Sequence, residues 1–243
     1  MPYNQIGKVS NVKGQVTILG GLFSDMPALL VATLIGYVLG ALPIASYIAK
    51  RHGVDLFAVG TGLTGASNVR RHVGNLPGGF VLLGDLGKGA LAIIIAKLFG
   101  VSGLWLMVPA GASIIGHWRS VFTGFRGGDG MATLGGIIIA VFPVFGFAAV
   151  AVSMIISLGG QKMPYSSLLN VIFGYSTLMV LNLTYYGDMD MVMVMTKGIG
   201  ILSAMVLGYA TLGHFRRRRR DGWDELDEPE GSEGATEPTS LGQ

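Results

Sequence analysis

Between Val59 and Arg71 the chain reads V-G-T-G-L-T-G-A-S-N-V-R-R, three glycines interleaved with Thr61, Ser67, Asn68 and a pair of arginines. A second stretch, from Gly116 to Thr133, reads G-H-W-R-S-V-F-T-G-F-R-G-G-D-G-M-A-T, again glycine-rich and again carrying arginine. Glycine lets successive backbone N–H groups turn toward one point and form a concave anion site. Arginine adds charge-assisted donors suited to phosphate. The two stretches are therefore read together as one phosphate-binding site at a membrane surface. No Ser-His-Asp spacing, H-E-x-x-H or Walker-type G-K-[ST] occurs, which weighs against a hydrolytic triad, a zinc site and a nucleotide-binding P-loop. The absence of cysteine removes disulfides, a thiolate nucleophile and thiolate metal ligands.

Asp85 and Lys88 stand three apart, on one face of an expected helix inside an apolar run. Ionisable groups there are costly unless paired or facing a polar cavity. They are expected either to pair with each other or to form a wall of the anion site. His117, at the end of another apolar run, reads as a polar cap at the interface. Lys197 reads as a snorkelling residue or a partner of Asp190.

The elements that must hold these groups are membrane helices. Of 243 residues 51% are hydrophobic and only 13% charged, against roughly 25% charged in soluble domains. Apolar runs at 26–49, about 77–99, 103–116, 131–158, 166–186 and 191–213 are candidate spans. Pro143 sits near the middle of 131–158 and can break it. Positive charge marks the loops: Lys50, Arg51, Arg70 and Arg71; Arg119 and Arg126; weakly Lys162; and Arg216 to Arg220. The 117–130 and 159–165 loops share a side only if 131–158 crosses twice. The expectation is an all-α membrane protein of about seven transmembrane helices, its glycine-rich loops and C-terminus in the cytoplasm. Residues 1–25 read as a polar leader and 26–215 as the membrane domain. Residues 216–243 read as a basic anchor for anionic membrane lipid, followed by a disordered acidic tail. Eight of the 14 acids fall in 221–243, leaving six acids against 17 bases elsewhere. That excess suits anionic headgroups or anionic substrates, and nothing points to nucleic acid.

The first stretch resembles the G-S-G-N-x-G-A-T-N-V-x-R signature of the bacterial acyl-phosphate:glycerol-3-phosphate acyltransferases. L-L-G-D-L-G-K-G-A-L-A is similar to that family's L-D-x-x-K-G segment. The second stretch, continued as L-G-G, resembles its G-H-x-F-P-V-F-x-x-F-x-G-G-K-G-V-A-T-x-x-G motif. The three motifs are colinear, and the resemblance covers about residues 30–215. It implies a seven-span enzyme of the cell inner membrane, with its site facing the cytoplasm. Such an enzyme moves a fatty acyl group from acyl phosphate to the 1-hydroxyl of glycerol 3-phosphate, making lysophosphatidic acid for phospholipid biosynthesis without a cofactor or metal. Carried over by position, it assigns catalysis to Ser67, Asn68, Arg71 and His117. Substrate binding falls to Thr61, Gly62, Gly65, Lys88, Arg126, Gly127, Gly128, Gly130 and Ser167, with Ser166 as the other serine that could match.

The chain departs from the pattern at Asp129, where the family has lysine, at Leu63 for asparagine, and at Phe57 for a basic residue. Of the terminal H-x-E-N-I-x-R pattern only His214 and the arginine run are recognisable. Two other readings stand beside the acyltransferase. One is a divergent paralogue of the same fold that binds a phosphate or lipid ligand with weak or no turnover. The other is a small membrane transporter with broken glycine-rich segments.

Overall fold

A computed structural model describes residues 26–159, 166–187 and 189–227. The expected leader (1–25), the loop marked by Lys162, Asp188 and the tail from 228 lie outside the described residues. The elements in order are α1 (26–41), α2 (Ile44–Arg51), α3 (Ala66–His72), α4 (Asn75–Leu98) and a 3-10 turn, Gly103–Leu106. Next come α5 (Met107–Trp118), a second 3-10 turn (Val121–Thr123), α6 (Met131–Val141), α7 (Pro143–Gly159), α8 (Ser166–Tyr186) and α9 (Asp190–Asp227). Among the described residues there is no strand. The all-helical class is as the apolar runs require, because a chain in lipid must satisfy its backbone within helices or closed barrels.

Among the described residues, four stretches are long and apolar enough to cross a membrane: Met26–Arg51, Asn75–Leu98, Leu168–Tyr186 and Asp190–Gly213. The 131–158 run divides at Phe142, just before Pro143. A Cβ on Gly146 would lie 2.5 Å from the carbonyl oxygen of Ile138, and one on Gly135 would lie 3.5 Å from a Val150 methyl. Fifteen residues along one straight helix would separate Gly135 from Val150 by about 22 Å, so α6 and α7 form a hairpin. α6, at 11 residues, is only about 16 Å long and does not by itself match a hydrocarbon core of about 30 Å.

Pro43 interrupts the first span: it has no N–H, and α1 ends at residue 41. The freed carbonyls are not left bare. Ala41 O accepts from the Ser120 hydroxyl, and Leu42 O accepts from Lys88 Nζ at 3.4 Å.

The helices approach closely where glycine allows it, as membrane helices do. A Cβ on Gly136 would sit 1.8 Å from Leu86 O, and one on Gly89 2.0 Å from Thr133 O, so α6 lies directly against α4 beside Asp85 and Lys88. Gly40 and Gly116 bring α1 and α5 together in the same way. The main core collects Ile93, Ile114, Ile137, Leu178, Ile199 and Val206, and a second cluster of Ala45, Ala49, Leu56, Val69 and Val81 lies beneath the first loop. The chain divides at Leu207 into two units, Met1–Leu207 and Gly208–Gln243. In the second, the described residues are helical to Asp227, with Thr211 donating to Gly208 O.

Candidate active site

The first loop is wrapped around one side chain. Asn68, in the first turn of α3 and buried, donates from Nδ2 toward the carbonyls of Leu56 (3.2 Å), Val59 (3.2 Å) and Leu63 (3.0 Å). The opposite amide orientation would set an oxygen against three oxygens, so this one is fixed by chemistry. Gly60 (φ +56°) and Gly62 (φ +63°) take the left-handed turns that bring those carbonyls inward. Asn68 thus faces the protein and shapes the loop, while Ser67 and Arg71 on the same helix face outward and are exposed. Among the described residues neither has a hydrogen-bond or ion-pair partner. Thr61 is half-buried between the two glycines, and Gly65 caps α3.

The second loop leaves α5 at Trp118. Gly124 (φ +64°) and Phe125 (φ +60°) reverse it, and Phe125 N donates to Ser120 O at 2.8 Å. Gly128 N donates to His117 O at 3.1 Å. A Cβ on Gly127 would sit 1.9 Å from His117 O, and one on Gly128 2.2 Å from His117 Nε2 and 2.7 Å from Thr64 O. No side chain fits at either position. The reason is close approach of three backbone segments.

The two loops meet. Thr64 N donates to Gly127 O at 3.4 Å, and the Arg126 guanidinium lies over the Phe57 ring, 4.1 Å from its centroid. The pairing expected from glycine and arginine content is therefore present as a physical seam.

His117 lies under that seam, buried, its Nδ1 3.3 Å from Thr133 Oγ1 and 3.8 Å from Asp85 Oδ1, and its Nε2 without a hydrogen-bond partner. It is an interior group, not a cap facing water. Asp85 and Lys88 form a buried ion pair at 2.8 Å. With Leu42, Thr64, Ser120 and Thr123 they line a narrow pocket of about 10 Å³ on the inner side of the loops. Asp85 and Lys88 thus pair with each other, one of the two expectations for them.

The Asp129 carboxylate has turned toward the start of α6: Oδ1 accepts from Met131 N at 3.1 Å, while its carbonyl accepts from Trp118 Nε1 at 2.7 Å. Gly130, at φ +86°, holds the cap position of α6, and Asp129 stands one residue before it. Ser166 and Ser167 open α8, and His214 and Arg216 to Arg220 lie in α9; the side chains of all of these are outside the described residues. Among the described residues no three His, Asp or Glu side chains converge as metal ligands would.

Beyond Asp129, at the first residue of α6, a small apolar cavity of about 80 Å³ opens among α4, α6, α7, α8 and α9, with Leu86, Met131, Leu134, Ile138, Ala149 and Tyr175 among its walls. Sequence reasoning missed this cavity and the Phe57 stack. Neither has a local signature, because each is made by residues far apart in the chain.

Comparison with known proteins agrees with the motifs. A family profile described as Glycerol-3-phosphate acyltransferase matches residues 30–219. Glycerol-3-phosphate acyltransferase 1 of Deinococcus radiodurans is 42% identical over 117 residues, 48% of this chain and 59% of that protein. The enzyme of Geobacter sulfurreducens is 37% identical over 122 residues, 50% of this chain and 63% of that protein. The chain thus spans about three-fifths of the length of these relatives. The enzyme of Synechococcus sp. (strain JA-3-3Ab) is 39% identical over 159 residues, covering 56% of this chain and 78% of that protein. A crystal structure of PlsY (YgiH), an integral membrane glycerol 3-phosphate acyltransferase in its glycerol 3-phosphate form, superposes with a TM-score of 0.62 at 29% identity. It covers 79% of this chain and 90% of that one.

Proposed function

This chain belongs to the glycerol-3-phosphate acyltransferase family, and from that premise we propose that it transfers a fatty acyl group from acyl phosphate to the 1-hydroxyl of glycerol 3-phosphate, giving lysophosphatidic acid. The observation that carries the reading is the seam itself. Two glycine-rich loops are joined by Thr64 N and Gly127 O, each carries an exposed arginine, and an apolar cavity has Met131, just after the second loop, in its wall. Both substrates bring a phosphate for the loops, and one brings an acyl chain, which suits an apolar helical surface.

Acyl phosphate is already activated, so positioning and charge stabilisation suffice without a protein nucleophile. The acceptor hydroxyl oxygen adds to the acyl carbonyl carbon and the acyl C–O bond to phosphate breaks. Inorganic phosphate leaves, and the hydroxyl proton passes to a phosphate oxygen. Arg71 and Arg126 hold the phosphates. Ser67 is free to donate to them, whereas Asn68 and His117 shape the two loops from inside. The purified protein, given acyl phosphate and glycerol 3-phosphate, is expected to form lysophosphatidic acid and release phosphate in equal amounts. Neither product appearing would refute the activity and favour a binding paralogue, the reading that Asp129 supports.

The site faces the cytoplasm on this reading, within a catalytic domain at 26–215 that crosses the membrane seven times. What supports this reading is the reversal of the chain between α6 and α7, since the two charged loops share a side only if the 131–158 run doubles back. Single cysteines at 125 and 162 in the cysteine-free chain should react with an impermeant thiol reagent from the same side. Labelling from opposite sides would refute the topology.

A further inference from the structure

Arg126 is exposed, yet its position is set. Its carbonyl accepts from the Thr123 hydroxyl, and the next residue accepts Thr64 N across the seam. Its side chain leans out of the second loop and over Phe57 of the first, with Cζ 4.1 Å from the ring centroid. Phe57 is itself anchored, its N–H donating to Asp55 Oδ1 at 3.0 Å. No carboxylate among the described residues pairs with Arg126, and the nearest in sequence, Asp129, is engaged with Met131 N.

A stacked guanidinium uses its face for the ring and keeps its edge donors free for a planar, bidentate contact with an anion. Its rotamers are already restricted, so less freedom is lost when that anion binds. We propose that Phe57 is a positioning residue: its ring presets the Arg126 guanidinium across the seam between the loops, poised to grip a phosphate monoester. The platform comes from the first loop and the cation from the second. Anion binding therefore depends on the loops being docked, and a phosphate gripped by Arg126 in turn holds them together. The proposal rests on the acyltransferase reading only for which phosphate monoester is bound.

An exposed cation–π contact is worth about two- to five-fold in an equilibrium constant. Calorimetric titration of glycerol 3-phosphate into the purified full-length protein should show Phe57→Leu binding about two- to five-fold more weakly than the native form, and Phe57→Trp at least as tightly. Arg126→Lys, which keeps the charge but loses the planar face, should bind more weakly with Phe57 untouched. In the Arg126→Ala background, Phe57→Leu should cost nothing further, as a merely structural role would not predict. In turnover, the acceptor KM should rise in Phe57→Leu at constant kcat. Equal binding by Phe57→Leu and the native form, or a loss that persists when Arg126 is absent, would overturn the proposal. If the native protein makes no lysophosphatidic acid but the coupling between positions 57 and 126 is seen with glycerol 3-phosphate or inorganic phosphate, the acyltransferase reading fails and the positioning role stands.

Discussion

Replacing Asp129 by asparagine removes one charge from the second loop and little else. The carboxylate accepts Met131 N, the first N–H of α6, at 3.1 Å, and an asparagine side-chain oxygen can accept the same bond. The fold should therefore hold, whereas Asp129→Ala would lose a hydrogen bond worth about 1 kcal/mol. The charge matters more. A phosphate held by Arg126 would share the second loop with that carboxylate, and like unit charges about 4 Å apart repel by about 1 kcal/mol in water and about 4 kcal/mol at an effective dielectric of 20. Asp129 is half-buried and lies between these limits. Asp129→Asn should then lower the acceptor dissociation constant by at least about five-fold, and Asp129→Lys should lower it further. The native protein is accordingly expected to be a weak acyltransferase. Calorimetry with glycerol 3-phosphate, alongside thermal unfolding in detergent to confirm an unchanged fold, makes the comparison. Tight binding by the native form, weakened by asparagine at an unchanged melting temperature, would refute the reasoning: the loop would then be built around the aspartate for another acceptor.

Arg71→Ala should weaken phosphate binding about ten- to hundred-fold, the worth of a charge-assisted contact, with unchanged thermal stability because the side chain is exposed; a titration with inorganic phosphate tests it. Asn68→Ala should destabilise by about 2 kcal/mol, since the carbonyls of Leu56, Val59 and Leu63 lose their shared donor, and limited proteolysis should cut within 56–65 first. Phe125→Gly should raise the unfolding temperature, because a bulky residue at φ +60° costs about 1–2 kcal/mol that glycine avoids. Lys88→Met leaves the Asp85 carboxylate buried and unpaired, at a cost of about 3–5 kcal/mol, and the double variant with Asp85→Asn should recover much of that in a melting experiment.

Composition and glycine spacing were enough to read the helical class and the two loops, because apolar length and turn chemistry are local. The break at Pro143 was legible for the same reason: a missing N–H acts where it stands. Which way a side chain faces was not legible. Asn68 and Arg71 lie three apart on one short helix, yet one points into the loop and the other to water. His117 reads as a surface cap until Gly128 is seen closing over its Nε2. The Phe57–Arg126 stack joins residues 69 apart in sequence, and no spacing rule reaches that far.

The site's rigidity follows from what those inward groups connect. Lys88 reaches Leu42 O at the break in the first span and Asp85 on its own helix, and Asp85 comes within 3.8 Å of His117 Nδ1. The His117 carbonyl holds Gly128 N, and the neighbouring Gly127 O holds Thr64 of the other loop. The interrupted helix, the buried ion pair and the seam are thus linked through neighbouring polar groups in a low-dielectric interior, where losing one partner is costly to the other. That arrangement lets the loops stay glycine-rich, with little side-chain packing of their own, and still keep a fixed shape. The outward groups, Ser67, Arg71 and Arg126, are spared any structural duty toward an acidic partner among the described residues. On the proposed reading, a phosphate arriving at the seam would find the Arg126 guanidinium held by no carboxylate among the described residues, with Asp129 the acidic group of the same loop.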